Sequence, residues 1–92
     1  MVKLISLKES TRKGKKLMAE FDDGTVTHFG ASGYSDFTKH KDEERKQRYI
    51  ARHSAQESFT NPKAASTLAR YVLWNKPTLS ASVSDYKKRF AL

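Results

Sequence analysis

Lys41, Arg45, Arg48 and Arg52 recur at i, i+4, i+7 and i+11. That spacing places side chains on one face of an α-helix. A row of cations on one face can track a phosphate backbone, and binding of that kind is strongly salt-dependent and tolerant of sequence. Lys39 and Lys46 extend the row. A second basic run, Lys87, Lys88 and Arg89, lies near the end of the sequence and supplies a further patch. These nine residues are the candidate contacts to a nucleic-acid or protein partner. The opposing reading is a solvated helix face whose charge is half neutralised by Asp42, Glu43 and Glu44 in surface pairs.

Catalytic chemistry finds less support. His28, His40 and His53 have no i, i+4 spacing among them, no HExxH motif and no cysteine partner, so they do not spell a metal site. A metal-dependent nuclease would need converging carboxylates. Asp42, Glu43 and Glu44 are consecutive, and consecutive side chains of a helix diverge. Gly30-Ala31-Ser32-Gly33 precedes a helix, where backbone N–H groups can meet an anion, but its small residues equally suit a plain connection. Arg70 and Lys76 flank Trp74, which reads as a core residue. The expectation is a protein that is not an enzyme, with no cofactor, no metal and no small-molecule substrate.

The elements that must position the cations follow from local signals. Residues 36–53, DFTKHKDEERKQRYIARH, lack glycine and proline and hold six of the eighteen lysines and arginines. Acids early and bases late match the helix dipole. Asp42–Lys46 and Glu44–Arg48 are i, i+4 pairs in the favourable order. The stretch predicts one helix, capped by Asp36 or Thr38 and fading near Ser54, with a thin apolar stripe of Phe37, Tyr49 and Ile50. Upstream, residues 2–8 read as a strand despite the adjacent Leu4 and Ile5. Residues 15–21 place Leu17, Ala19 and Phe21 on one face and Lys16, Met18 and Glu20 on the other. Asp22-Asp23-Gly24-Thr25 is a hairpin signal, and residues 26–30 form the returning strand. Downstream, residues 55–61 are polar apart from Phe59. Asn61-Pro62 supplies a cap and a first-turn proline for a buried helix over 65–74, with Leu68, Tyr71 and Val72 at i, i+3, i+4. Asn75-Lys76-Pro77 ends it. Thr78 caps a last helix whose Leu79, Val83, Tyr86 and Phe90 share one face. The fold class is therefore α+β, a three-stranded antiparallel meander followed by three helices packed on one face, in one domain spanning residues 1–92.

Composition bounds the partner. The net charge is +8, with 30% charged and 11% aromatic residues. Such a balance suits nucleic acid, an anionic membrane surface or an acidic protein surface. The absence of cysteine excludes a disulfide framework and thiolate-ligated zinc. Apolar runs of three or four residues fall far short of the ~20 that span a membrane. The first ten residues have too short an apolar centre for a signal peptide, so an intracellular setting is expected.

The string GYSDFTKHKDEERKQRYIARH, the later LWNKPTL and the closing DYKKRF resemble a family of short basic proteins of large nucleocytoplasmic DNA viruses, algal and amoebal ones among them. The likeness runs over residues 29–90. It carries no catalytic residue and no activity; what it implies is a setting, the virion or the viral factory in the host cytoplasm. Two roles suit that setting, the first the expected one and the second the alternative. One is a structural virion component, a minor capsid or internal protein bridging larger capsid or core proteins through basic and aromatic surfaces. The other is a sequence-tolerant double-stranded DNA-binding protein of the viral genome.

Overall fold

Leu4 and Leu7 lie three residues apart, yet both pack against the core. A regular strand would turn them to opposite faces. In the computed structural model, which describes residues 2–33, 35–55 and 59–92, a register shift between Leu4 and Ser6 resolves this. Ile5 is the extra residue and stands 58% exposed. One inserted residue is what a β-bulge supplies, and it explains the imperfect alternation of the sequence.

Strands β1 (Leu4–Glu9), β2 (Lys15–Phe21) and β3 (Val26–Ala31) form an antiparallel sheet in the order β1-β2-β3. Leu17, Ala19 and Phe21 of β2 face the helices together with Phe29 of β3, while Met18 lies on the opposite side between Lys8 and His28. The hairpin closes as the sequence predicts. Gly24 adopts φ +91° and donates its N–H to the Phe21 carbonyl at 3.1 Å, while Phe21 N–H donates to Thr25 O at 2.9 Å. This is a turn followed by a left-handed glycine. Lys63 reaches back to ion-pair with Asp23 at the tip.

The helices are α1 (Phe37–His40), α2 (Glu43–Ser54), α3 (Ala65–Leu68) and α4 (Leu79–Arg89), with a π-helical turn (Ala69–Leu73) continuing α3. The architecture is α+β, with the helices packed against the sheet. Phe21, Phe29, Leu68, Val72 and Tyr86 are fully buried where they meet. Burial of each large apolar side chain contributes roughly 1.5–3 kcal/mol. Tyr86 keeps its hydroxyl satisfied by donating to the Pro62 carbonyl, and burial pushes the phenol's pKa up.

Three local readings change. The single helix over 36–53 is two helices. Lys41 takes a left-handed conformation, φ 54°, and caps the end of α1. Asp42 then caps α2, accepting from the N–H groups of Glu44 and Arg45. A short carboxylate beside free N–H groups favours a cap over a helix interior. Asn61 is not a helix cap: its side chain accepts from Lys63 N–H in a turn, and α3 begins at Ala65 with no side-chain cap. Leu79 is exposed, so the apolar face of α4 starts at Val83. Buried Ser82 takes over there, accepting from Lys76 N–H and donating to the Lys76 carbonyl. Thr78 caps α4 as expected, and Asp36 caps α1. Tyr34 of the predicted loop, and residues 56–58 of the polar segment, lie outside the described residues.

Gly30 marks a tight contact between sheet and π-turn. It has φ +78°, and a Cβ there would stand 2.7 Å from Leu73 Cδ1 and 3.1 Å from Lys16 Cβ. Gly24 also has positive φ but no neighbour within 4 Å of such a Cβ. Gly30→Ala is therefore expected to cost about 2–3 kcal/mol from strain plus overpacking. Gly24→Ala should cost about 1 kcal/mol from strain alone. Urea denaturation of the two variants checks this; equal losses would show that Leu73 yields without cost.

Candidate anion-binding cleft

The helix pair α1–α2 is held to the rest of the fold by stacked rings. The Tyr49 and Trp74 rings are stacked, with centroids 4.4 Å apart and planes 5° from parallel. His53 stacks on Tyr49 at 4.2 Å. His40 tilts against Trp74 at 5.2 Å, and Phe37 meets His40 edge-on. The π-turn aims Trp74 at this stack. Its closing bond runs from Trp74 N–H to the Ala69 carbonyl, five residues back. The wider turn rotates the residues beyond it by about one helical step, roughly 100°. Arg70 fixes the end by donating to the Trp74 carbonyl at 2.8 Å, and Asn75 donates to Tyr71 O and to Asp85.

Beside the stack a cleft of about 510 Å³ opens between α2, β2 and the π-turn. Arg45 and Arg52 flank Tyr49 on the same side of α2, since they lie seven residues apart with Tyr49 between them. Lys15 and Lys16 enter from β2. The only carboxylate on the wall, among the described residues, is Asp36. It is buried and bound to Lys16 Nζ at 2.6 Å. Burial alone would raise its pKa, but hydrogen bonds from Lys16 and Thr38 hold it below the usual range. Lys15, Arg45 and Arg52 are exposed and have no carboxylate partner among the described residues.

The other predicted contacts are distributed differently. Lys41 leaves the α2 face because it sits in the α1 cap, where its Nζ donates to Thr38 O. Arg48 points away from the cleft lining and pairs with Glu44 at 2.8 Å, as its spacing predicts. The expected Asp42–Lys46 pair does not form, because Asp42 is spent on the cap. Lys46 lies over the Phe37 ring at 4.8 Å and 3.7 Å from Glu43 instead. Lys39 is exposed on α1. Lys87 and Lys88 are exposed in the last turn of α4, whereas Arg89 turns back to Asp85 and the Tyr71 ring. The row of cations thus resolves into Arg45 and Arg52 on the cleft, joined by Lys15 and Lys16. The periodicity of α2 could have exposed this: Tyr49, the aromatic residue of the helix's apolar stripe, shares a face with the two arginines.

Two of the histidines hydrogen-bond within the fold. His28 Nδ1 shares a 2.7 Å hydrogen bond with the Ser10 hydroxyl. His40 Nδ1 accepts from Asp42 N–H at 2.9 Å, at the α1–α2 junction. Among the described residues no group of three or more histidines and carboxylates comes together to hold a metal ion, and no helix is long and apolar enough to cross a membrane.

One family model matches the chain, over residues 5–53, and it is described as a family of unknown function (DUF5754). The match spans the sheet except Leu4, α1 and most of α2, and includes Lys15, Lys16, Asp36, Arg45, Tyr49 and Arg52. No curated protein and no solved structure matches the chain.

Proposed function

We propose that this chain, which belongs to the DUF5754 family, is a non-enzymatic protein that binds double-stranded DNA through the cations of α2 and the neighbouring cleft rim. Its setting is the one the sequence resemblance implies: an internal virion component or genome-associated protein of a large nucleocytoplasmic DNA virus, acting in the particle or the viral factory. The observation that carries this reading is the pair Arg45 and Arg52. Both are exposed without a carboxylate partner among the described residues, on a helix whose position is fixed by the Tyr49–Trp74 stack. A rigid helix loses little freedom when its cations meet phosphates. Lys39 on α1 and Lys87 and Lys88 on α4 add exposed cations elsewhere on the surface.

A second reading is a minor capsid component that bridges larger capsid or core proteins. It draws on apolar exposure: Ile5 and Val26 both stand exposed. Ser6, Glu20 and Val26 lie in register across the sheet, with Ile5 bulged beside Ser6. Protein partners favour such anchors.

A salt titration of duplex binding by fluorescence anisotropy separates the two. DNA binding predicts tight association at low salt, with log K falling against log salt by about 0.9 per phosphate neutralised. The Arg45, Arg48, Arg52→Ala triple variant should shorten that slope by about 2–3 and bind every duplex sequence more weakly. No binding by the wild type at low salt removes the DNA reading and leaves the charge to an acidic protein surface.

A further inference from the structure

We infer that the cleft between α2, β2 and the π-turn binds a nucleotide unit, its phosphate at the cationic rim and its unpaired base on the apolar floor. The site goes beyond duplex binding and does not require it. A duplex keeps its bases paired inward and offers the rim only phosphates.

Size, charge and floor agree on this ligand. The volume, about 510 Å³, falls within the roughly 300–1,000 Å³ of small-molecule sites. Four lysine and arginine side chains face one carboxylate, so the cleft carries a positive excess suited to a phosphate. The lining opposite these charges includes an apolar floor of Tyr49, Leu73 and Trp74 edges with Ala65 and Ala69, and His53 beside them. Bare phosphate would meet the cations and leave that floor wet. An uncharged ring would leave Arg45 and Arg52 unanswered. An unpaired nucleotide satisfies both parts, its phosphate on the cations and its base against the apolar lining. The Tyr49–Trp74 stack is already formed, so the floor need not be ordered on binding. Ser66, on the wall at the start of α3, adds a hydroxyl within the lining.

Trp74 is the only tryptophan of the chain and lines the cleft, so its emission reports occupancy. The full chain is titrated with thymidine monophosphate, octathymidylate and inorganic phosphate. The expected result is a saturable change in Trp74 emission with either nucleotide probe, at concentrations at least about tenfold below those inorganic phosphate needs. Ser66→Glu puts a carboxylate in the wall and should weaken the response at least about tenfold through like-charge repulsion. Glutamate suits the first turn of a helix, and circular dichroism checks that the fold is kept. Lys8→Ala, an exposed cation outside the cleft lining, should respond as the wild type does. Tighter binding of octathymidylate assigns the site to single strands, and equal binding per nucleotide assigns it to free nucleotides. No saturable response to either nucleotide probe, an undiminished response in Ser66→Glu, or inorganic phosphate matching the monophosphate overturns the proposal. Duplex anisotropy stands apart: it can fail while this titration succeeds, and the reverse.

Discussion

Trp74→Ala is expected to destabilise the protein by about 3 kcal/mol, and to weaken duplex binding although Trp74 contacts no phosphate. Replacing a packed Phe or Trp by alanine costs about 3–5 kcal/mol. Trp74 is half-buried, so the low end applies. Its ring joins the π-turn to α1 through His40 and to α2 through Tyr49. Removing it leaves α2 without the surface on which its one buried residue rests. Arg45 and Arg52 then lose their fixed spacing from Lys15 across the cleft. Trp74→Phe keeps a ring against Tyr49 and should lose less than half as much stability. Urea denaturation followed by far-ultraviolet circular dichroism measures both variants, since the change removes the tryptophan signal. Unchanged stability in Trp74→Ala would mean that α2 is held by something other than the stack.

What the sequence discloses about this fold is what local chemistry decides. The hairpin at Asp23-Gly24, the strand over 15–21 with its two faces, and the Thr78 cap each depend on a few neighbouring residues, and each forms. The bulge at Ile5 was visible as failed alternation, though not as a bulge. The break at Lys41–Asp42 was hidden because Asp42, Glu43 and Glu44 look the same as first-turn acids of one long helix or as cap and first turn of a second. Only the left-handed Lys41 distinguishes them. The cleft was hidden for a different reason. Lys15 and Lys16 come from a strand some thirty residues before Arg45, and the π-turn that aims Trp74 has no local signature. Helical spacing alone placed Lys41, Arg45, Arg48 and Arg52 in one row. Tertiary packing divides that row, because Tyr49 is buried and the helix turns Arg45 and Arg52 onto the cleft beside it, where both stay exposed.

Asp36→Asn is expected to lower stability by about 2–4 kcal/mol at pH 7 and, at the same pH, to strengthen anion binding. Asp36 ties three parts together: its carboxylate accepts from Lys16 Nζ at 2.6 Å, from Thr38 N–H at 3.0 Å and from the Thr38 hydroxyl. Breaking a buried pair of this kind costs about 3–5 kcal/mol; an asparagine oxygen that still accepts from Thr38 retains part of it. The pH dependence identifies the charge as the cause. Burial opposes ionisation, but the bonds from Lys16 and Thr38 hold the folded pKa below that of the unfolded chain, which lies near about 3.9. Between the two values the unfolded state binds more protons, so stability rises with pH there. The contribution is complete above the unfolded pKa and is lost as pH falls through the folded one. The wild type should therefore exceed Asp36→Asn by a constant margin at neutral pH, and that margin should shrink below about pH 4. Asp23 and Asp85 are depressed as well, chiefly by hydrogen bonds from Lys63 and Asn75. Both proteins share that loss in acid, and the difference between their urea midpoints isolates Asp36. A margin equal at pH 3 and pH 7 would assign the effect to shape rather than charge. The gain in binding comes from the same removal: Asp36 is the single carboxylate of the cleft wall among the described residues, and neutralising it leaves the cations there unopposed. A variant that loses stability and gains affinity together would show that Asp36 serves the fold at the expense of the site.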